Sequence, residues 1–308
     1  MIRVAALDCG TNSLRLLVAD VDVATLTDVV RRMEVVRLGE GVDRTGRLSE
    51  AALRRTFGVL DEYAEVIRSL DVDRVRMVAT SASRDAENRE VFVAGVVERL
   101  GVAPEVVTGD EEAALSFAGA TRELRGTPLF ASPYLVVDIG GGSTEFVLGD
   151  DGGLQSSRSV DIGCVRLTER HLRDDPPAEE QIAAATADIE AAIDDVAKTV
   201  RIDEARTLVG LAGSVTTVVA LALGLTEYDA TRIHHTRVSA AEVSAVTRRL
   251  LAASRAERAA IPVMHPGRVD VIGGGALVLD TVLRRCGFDS VVASEHDILD
   301  GIAFSAIN

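Results

Sequence analysis

Apolar positions along this chain repeat with two periods, and the switches between them divide it into strands and helices. Short apolar runs at Val4 to Leu7, Leu14 to Val18, Leu135 to Val137 and Phe146 to Leu148 read as buried strands. Val75 to Ala79, Glu105 to Val107, residues 156–161, Leu208 to Leu211 and Val269 to Ile272 read the same way. Elsewhere the spacing is helical. Leu53, Phe57, Leu60, Ala64 and Ile67 mark one face over 49–70, with Ser49 as N-cap. Near 86–100, Phe92, Val93, Val96, Val97 and Leu100 point inward and Gly101 ends the helix. Asp110 is placed to cap a helix from Glu111. Ile182, Ile189, Ile193 and Val196 share a face after the proline-marked stretch 174–177. Ser239 and Glu242 form a capping box for a helix to about Ala253, and a last helix runs from about Ser294.

Two strand–turn–strand units stand out. One has Asp8-Cys9-Gly10-Thr11-Asn12-Ser13 at its tip, the other Asp138-Ile139-Gly140-Gly141-Gly142-Ser143-Thr144-Glu145. Each carries a carboxylate, glycines and hydroxyls. Such a tip directs backbone N–H groups at one spot and adds a ligand for a divalent cation. Its repetition points to a duplicated domain gripping a phosphorylated ligand in a cleft. At 308 residues the chain suits two domains better than one. The expected division is 1–128 and 129–308, with turn chemistry at 125–133 as the crossover and the helix at about 295–308 packing back on the first domain.

Composition narrows the chemistry. The chain is 47% hydrophobic, yet no apolar run approaches the roughly 18 residues that span a membrane. It opens as a strand, not as a signal peptide. Cys9, Cys164 and Cys286 lack C-x-x-C spacing and read as reduced thiols, which fits a cytoplasmic protein. A formal charge of −15 argues against broad nucleic-acid binding. It also means that a phosphate site must be made locally positive by arginines, a metal and turn amides. Lys198 is the lone lysine, so arginine supplies the fixed cations.

Several residues are candidates for that site. Asp8 and Asp138 each end a buried strand, where they either hold a metal ion or brace their own turn as Asx-type acceptors. Three consecutive glycines, Gly140 to Gly142, suit a backbone that must approach a ligand closely. Gly213-Ser214 and Gly273-Gly274-Gly275 follow strands and open helices, which makes them anion sites or close-packing points. Arg84, in the polar run from Thr80 to Arg89, is a phosphate clamp or a surface ion pair. Glu111 and Glu112 sit in the first turn of a helix, where negative charge is favoured in any case. His234 and His235 are adjacent, which seldom suits two ligands of one ion. There is no Walker A loop and no Rossmann fingerprint.

Together the segments DCGTNSLRLLV, TSASRDAEN, TGDEEAALSFAGA, DIGGGSTEFVLG, DIGCVRLTE, LAGSVTTVVAL and SEHDILDGI resemble the exopolyphosphatase / guanosine pentaphosphate phosphohydrolase family, within the actin-like, sugar-kinase-like and Hsp70-like superfamily. They occur in family order over nearly the whole chain. The resemblance implies an α/β protein of two actin-like (ribonuclease H-like) domains, with mixed sheets flanked by helices and an interdomain cleft. It implies release of orthophosphate from the ends of inorganic polyphosphate by metal-assisted attack of water. Glu112 matches the general base and Glu145 a second catalytic carboxylate that also serves the metal. Asp138 and Asp8 match metal-linked aspartates, and Arg84 a phosphate-contacting arginine. Gly141, Gly142, Ser143 and Thr144 match the phosphate cradle; Asn12, Ser13, Gly213 and Ser214 join them as phosphate-binding candidates. Mg²⁺ is the implied cofactor, with Mn²⁺ as a substitute and a monovalent cation as an open requirement. A homodimer is implied; nucleic acid and membrane partners are not.

Longer relatives carry further C-terminal domains that this chain lacks, which points toward shorter polyphosphate chains. Guanosine pentaphosphate is the alternative substrate. A polyphosphate sensor without catalysis is a third reading, disfavoured because a pure binder has no use for Glu112 and Glu145 beside a polyanion. A sugar or acetate kinase would need an ATP site and an acceptor pocket, and nothing in the sequence marks one.

Overall fold

The computed structural model describes residues 1–22, 25–124 and 129–307. The chain forms two compact units, one from Met1–Gly119 with His296–Asn308 and the other from Ala120–Glu295. Of the stretch expected as a crossover, residues 125–128 lie outside the described residues.

The first unit begins with β1 (Ile2–Cys9), β2 (Ser13–Val21) and β3 (Leu26–Val35). The short α1 (Val42–Thr45), the long α2 (Glu50–Ser69), β4 (Arg74–Ala79), α3 (Ser81–Asp85), α4 (Arg89–Leu100), β5 (Glu105–Val106) and α5 (Gly109–Thr121) follow. The sheet order is β3-β2-β1-β4-β5, with β1 antiparallel to β2 and parallel to β4. Alternation along β1 serves two cores. Ala5, Leu7 and Cys9 face the core shared with α2 and α4, while Val4 and Ala6 face a second core. That second face is covered by the C-terminal helix, through Ile298, Leu299, Ile302 and Ala303. Burying a large apolar side chain here contributes on the order of 1.5–3 kcal/mol.

The second unit repeats the plan with β6 (Tyr134–Ile139), β7 (Thr144–Asp150), β8 (Gly153–Val160), α6 (Cys164–Arg170), α7 (Glu179–Val196), β9 (Thr207–Leu211) and α8 (Ala212–Ala222). It continues through α9 (Ala230–Ile233), β10 (Arg237–Ser239), α10 (Ala240–Ala252), α11 (Arg255–Ala259), α12 (Ile272–Cys286) and β11 (Ser290–Ala293). α13 (Ile298–Ser305) belongs to the first unit. The order β8-β7-β6-β9-β11 matches the first sheet strand for strand, and β10 adds an edge. Both units are therefore mixed sheets flanked by helices. No described helix is long and apolar enough to cross a membrane.

Most expected elements form, with informative differences. Ser49 caps α2 by accepting from the Ala52 N–H, and the Ser239–Glu242 box caps α10. Phe92 and Val96 are buried one turn apart, but Val97 lies round the helix from them and is 42% exposed. Thr108, not Asp110, caps α5: its hydroxyl accepts from the Glu111 N–H, and the Glu111 carboxylate accepts from the Thr108 N–H at 2.8 Å. Gly109 is then the first helical residue. α6 had no expected counterpart.

The run Val269 to Ile272 is not a strand. Pro266–Arg268 forms a 3₁₀ turn, and the chain enters α12 at Ile272. Four apolar residues do not distinguish a strand from a helix start. The glycines that follow lie in the first turn of α12 and serve packing. A Cβ at Gly274 would lie 2.9 Å from the Cys164 carbonyl oxygen, and one at Gly275 would lie 2.1 Å from Ser214 Oγ. Their absence lets α12 cross closely over α6 and α8.

Candidate active site

Both hairpins turn in the same way. The Gly10 N–H donates to the Ser13 carbonyl at 3.0 Å, and the Gly140 N–H donates to the Ser143 carbonyl at 3.1 Å. In both, an aspartate two residues before the glycine ends the buried strand, and register sets a residue seven positions later opposite it: Arg15 against Asp8, Glu145 against Asp138.

In the first unit the turn is braced from outside. The Asn12 carbonyl accepts N–H groups from Val36 and Arg37, and the Thr11 carbonyl accepts from Gly39. The Thr11 hydroxyl lies 2.8 Å from that of Ser81, in a buried contact with the start of α3. Arg15 donates from Nε and Nη2 to one oxygen of Asp8, at 2.9 and 2.6 Å. It also donates from Nη1 to Asp297, which caps α13 by accepting the Leu299 N–H. Asp8 is 4% exposed, and its Oδ1 has no hydrogen-bond partner among the described residues. Burial pushes the Asp8 carboxyl up, Arg15 pulls it down and Asp297 adds to the rise, so the balance is upward. Burial acts on Asp297 too, but Arg15, the Leu299 N–H and Arg31 together hold it below the usual carboxylate range. The shared arginine thus favours Asp297.

Arg84 and Glu112 meet in the same unit. α3 carries Arg84 off the end of β4, and α5 carries Glu112 in its first turn. Arg84 Nη1 donates to Glu112 Oε2 at 3.1 Å and to the Val107 carbonyl at 3.0 Å. Glu112 is 8% exposed. A buried carboxylate is thereby held in one orientation beside a guanidinium.

In the second unit the glycine turn sits against the N-terminus of α6. The Gly140 carbonyl accepts from the Cys164 N–H at 2.9 Å, and that of Gly141 from Val165 and Arg166. The Gly142 carbonyl accepts from Gly163. A Cβ on Gly163 would lie 2.2 Å from the Gly141 carbonyl oxygen, so glycine at 163 is what permits this approach. None of Gly140, Gly141 and Gly142 is among the glycines with positive φ, so a left-handed backbone is not the reason for them. The Thr144 hydroxyl donates to the Ile162 carbonyl at 2.9 Å and fixes the turn's exit. Ser143 is buried.

Asp138 and Glu145 are direct cross-strand neighbours, with Cβ atoms about 4.5–5.5 Å apart in such pairs. Both are buried. Ser159, opposite Glu145 on β8, donates its hydroxyl to Glu145 Oε1 at 2.7 Å. The three side chains form a polar row on one face of the sheet at the mouth of the glycine turn.

A second turn of this unit, where β9 enters α8, takes Ala212 into the left-handed region at φ 67°. Gly213 follows, and Arg268 covers it: a Cβ there would lie 2.1 Å from Arg268 Nη2. Arg268 Nη1 donates to Thr217 Oγ1 at 3.0 Å. Ser214 faces Gly275 and Cys164 instead. Arg268, Arg15 and Ser159 were not singled out from the sequence. The equal seven-residue spacing from aspartate to partner could have flagged Arg15. Arg268 leaves no local signal, because it reaches Gly213 from 55 residues away in sequence.

The sequence profile described as the Ppx/GppA phosphatase family matches residues 17–308. The chain is 50% identical to exopolyphosphatase 2 of Mycobacterium tuberculosis, over 99% of this chain and 98% of that one. It is 28% identical to a guanosine-5'-triphosphate,3'-diphosphate pyrophosphatase of Aeromonas salmonicida, over 98% of this chain but 59% of that one. It is also similar to the crystal structure of an exopolyphosphatase-like protein, at 47% identity and a TM-score of 0.96, over 99% of this chain and 97% of that chain. The chain belongs to the Ppx/GppA phosphatase family, whose members are phosphoric anhydride hydrolases.

Proposed function

We propose that the protein is an exopolyphosphatase that hydrolyses terminal phosphates of inorganic polyphosphate, with a preference for shorter chains. The observation that carries this reading is the buried pair Asp138 and Glu145 at the mouth of the glycine turn. The half-identical exopolyphosphatase of M. tuberculosis supports the choice of substrate.

The donor set suits Mg²⁺, which takes oxygen ligands from one or two carboxylates and from substrate phosphates. Asp138 and Glu145 would hold it. When bound, it would neutralise phosphate charge and polarise the phosphoryl oxygens. The protein's own groups do the rest. Gly140 to Gly142 turn their carbonyls to α6 and the Gly140 N–H is taken by the Ser143 carbonyl, which leaves the N–H groups of Gly141 and Gly142 to meet phosphate. Arg268 and Arg84 offer planar forks to phosphate oxygens. Glu112, oriented by Arg84, aligns the attacking water and takes its proton.

Guanosine pentaphosphate is the second reading, favoured by the similarity to the Aeromonas pyrophosphatase. The test is orthophosphate release with Mg²⁺ from short polyphosphate, long polyphosphate and guanosine pentaphosphate in parallel, for wild type and Glu112→Gln. Release from polyphosphate, reduced about 100- to 10,000-fold in the variant, is expected. Release from guanosine pentaphosphate alone would replace the first reading with the second. Release that survives Glu112→Gln would remove Glu112 from the role of base.

A further inference from the structure

The chain passes between the two units twice, at Gly119/Ala120 within α5 and at Glu295/His296 after β11. Within the second unit, one imidazole touches both passages. His234, at the end of α9, has its Nε2 3.0 Å from the carboxylate of Glu123, just past the first passage. Its Nδ1 accepts the backbone N–H of Glu295, the last residue before the second, at 3.1 Å. We propose that His234 is a positioning residue: a latch that ties both crossover segments to the second unit and holds Glu295 in place.

The hydrogen bonds define the state of the ring. An N–H pointing at Nδ1 requires a lone pair there, so the neutral imidazole carries its proton on Nε2, where the Glu123 carboxylate accepts it. The ring is also held flat. His235 stacks on it at 3.7 Å between centroids, and Phe130 tilts against His235 at 5.4 Å. His235 reaches that position with φ 60°, in the left-handed region, and its N–H is bonded to the Ala293 carbonyl at 2.7 Å. A non-glycine residue in that conformation costs on the order of 1 kcal/mol or more, and the stacking and hydrogen bond offset it.

Glu295 is held at its side chain as well, because the Tyr228 hydroxyl donates to Glu295 Oε1 at 2.6 Å. The contacts therefore run from Glu123 through His234 and Glu295 to Tyr228. His234 fixes the second unit's side of both passages.

The donor atoms of Glu123, His234 and His235 lie within 4.8 Å of one another, which is also a spacing for a metal ion. A metal on His234 Nε2 would move the ring proton to Nδ1 and break the bond to Glu295. The two assignments are exclusive.

Three variants separate the two hydrogen bonds. His234→Asn keeps an acceptor near Nδ1, His234→Gln keeps a donor near Nε2, and His234→Ala keeps neither. Amide hydrogen exchange at Glu295 should be at least about tenfold faster in His234→Gln and His234→Ala and near wild type in His234→Asn. The kinetic arm rests on the phosphohydrolase reading. There kcat on polyphosphate should fall about fivefold or more in the Gln and Ala variants with KM within about twofold, and His234→Asn should restore it. Unchanged Glu295 exchange in His234→Ala, or equal loss of kcat in all three variants, would overturn the latch. So would micromolar Zn²⁺ binding to wild type with loss of Glu295 protection, which would make the cluster a metal site. A wild type that releases no orthophosphate would remove the proposed function, while the exchange measurement would still decide the latch.

Discussion

In the hairpin of β1 and β2, the carboxylate two residues before the turn faces an arginine; in the hairpin of β6 and β7, it faces a glutamate. The backbones are otherwise alike, down to the same turn hydrogen bond. The first hairpin neutralises itself, and through Arg15 it reaches on to Asp297 at the cap of α13. The second sets two carboxylates side by side in a buried row, with the Ser159 hydroxyl donating to one of them. Like charges at one strand spacing repel, so the same backbone carries opposite charge patterns in the two hairpins. On the proposed reading, the first copy of the duplicated motif acts as a structural joint and the second carries the reactive charge.

The largest effects should come from the second hairpin. Asp138→Asn and Glu145→Gln each remove one charge from the pair without changing its shape. Each should lower orthophosphate release by about 100- to 10,000-fold. An activity loss of less than about tenfold in both would end the idea that this pair holds the metal.

The opposite pattern is expected in the first hairpin. Arg15→Met leaves Asp8 and Asp297 buried without their shared counter-charge. Breaking a buried ion pair by removing one partner costs about 3–5 kcal/mol, which urea unfolding would read directly. Arg31 still pairs with Asp300 at 2.6 Å, so α13 keeps one tie to the sheet. If Arg15→Met were as stable as wild type, the view of this hairpin as a structural joint would fail.

This difference was half legible in the sequence. The strand–turn–strand pattern, the duplication and the α/β class follow from apolar runs that are short, punctuated by glycine and twice repeated. The partners of the turn residues do not. Arg84 and Glu112 are 28 residues apart and meet only because β4, α3, β5 and α5 fold back on one another. Thr108 was overlooked as a cap although Thr108 and Glu111 have capping-box spacing, because Asp110 stood nearer the apolar run. The glycines at 273–275 read equally as an anion turn or as close-packing points, and the structure gives the packing reading, with partners in α6 and α8 that periodicity along α12 cannot reveal.

The smallest expected effect is the most specific to the first hairpin, because its two carboxylates shift in opposite directions. Asp297 lies below the ordinary carboxylate range in the folded protein, with an unfolded value of about 3.9. Its contribution to stability is therefore complete above about pH 4 and is lost as pH falls through the depressed folded value. Asp8 is raised. Relative to the unfolded chain it favours the fold when protonated, so its contribution is complete below about pH 3.9 and is lost as pH rises through the folded value. Unfolding free energies for wild type, Asp8→Asn and Asp297→Asn across pH 3–7 separate the two. The advantage of wild type over Asp297→Asn should shrink toward acid, and its standing against Asp8→Asn should improve toward acid. If both differences moved the same way with pH, Arg15 would not be dividing its charge unequally between the two carboxylates, and the joint would have to be explained by packing instead.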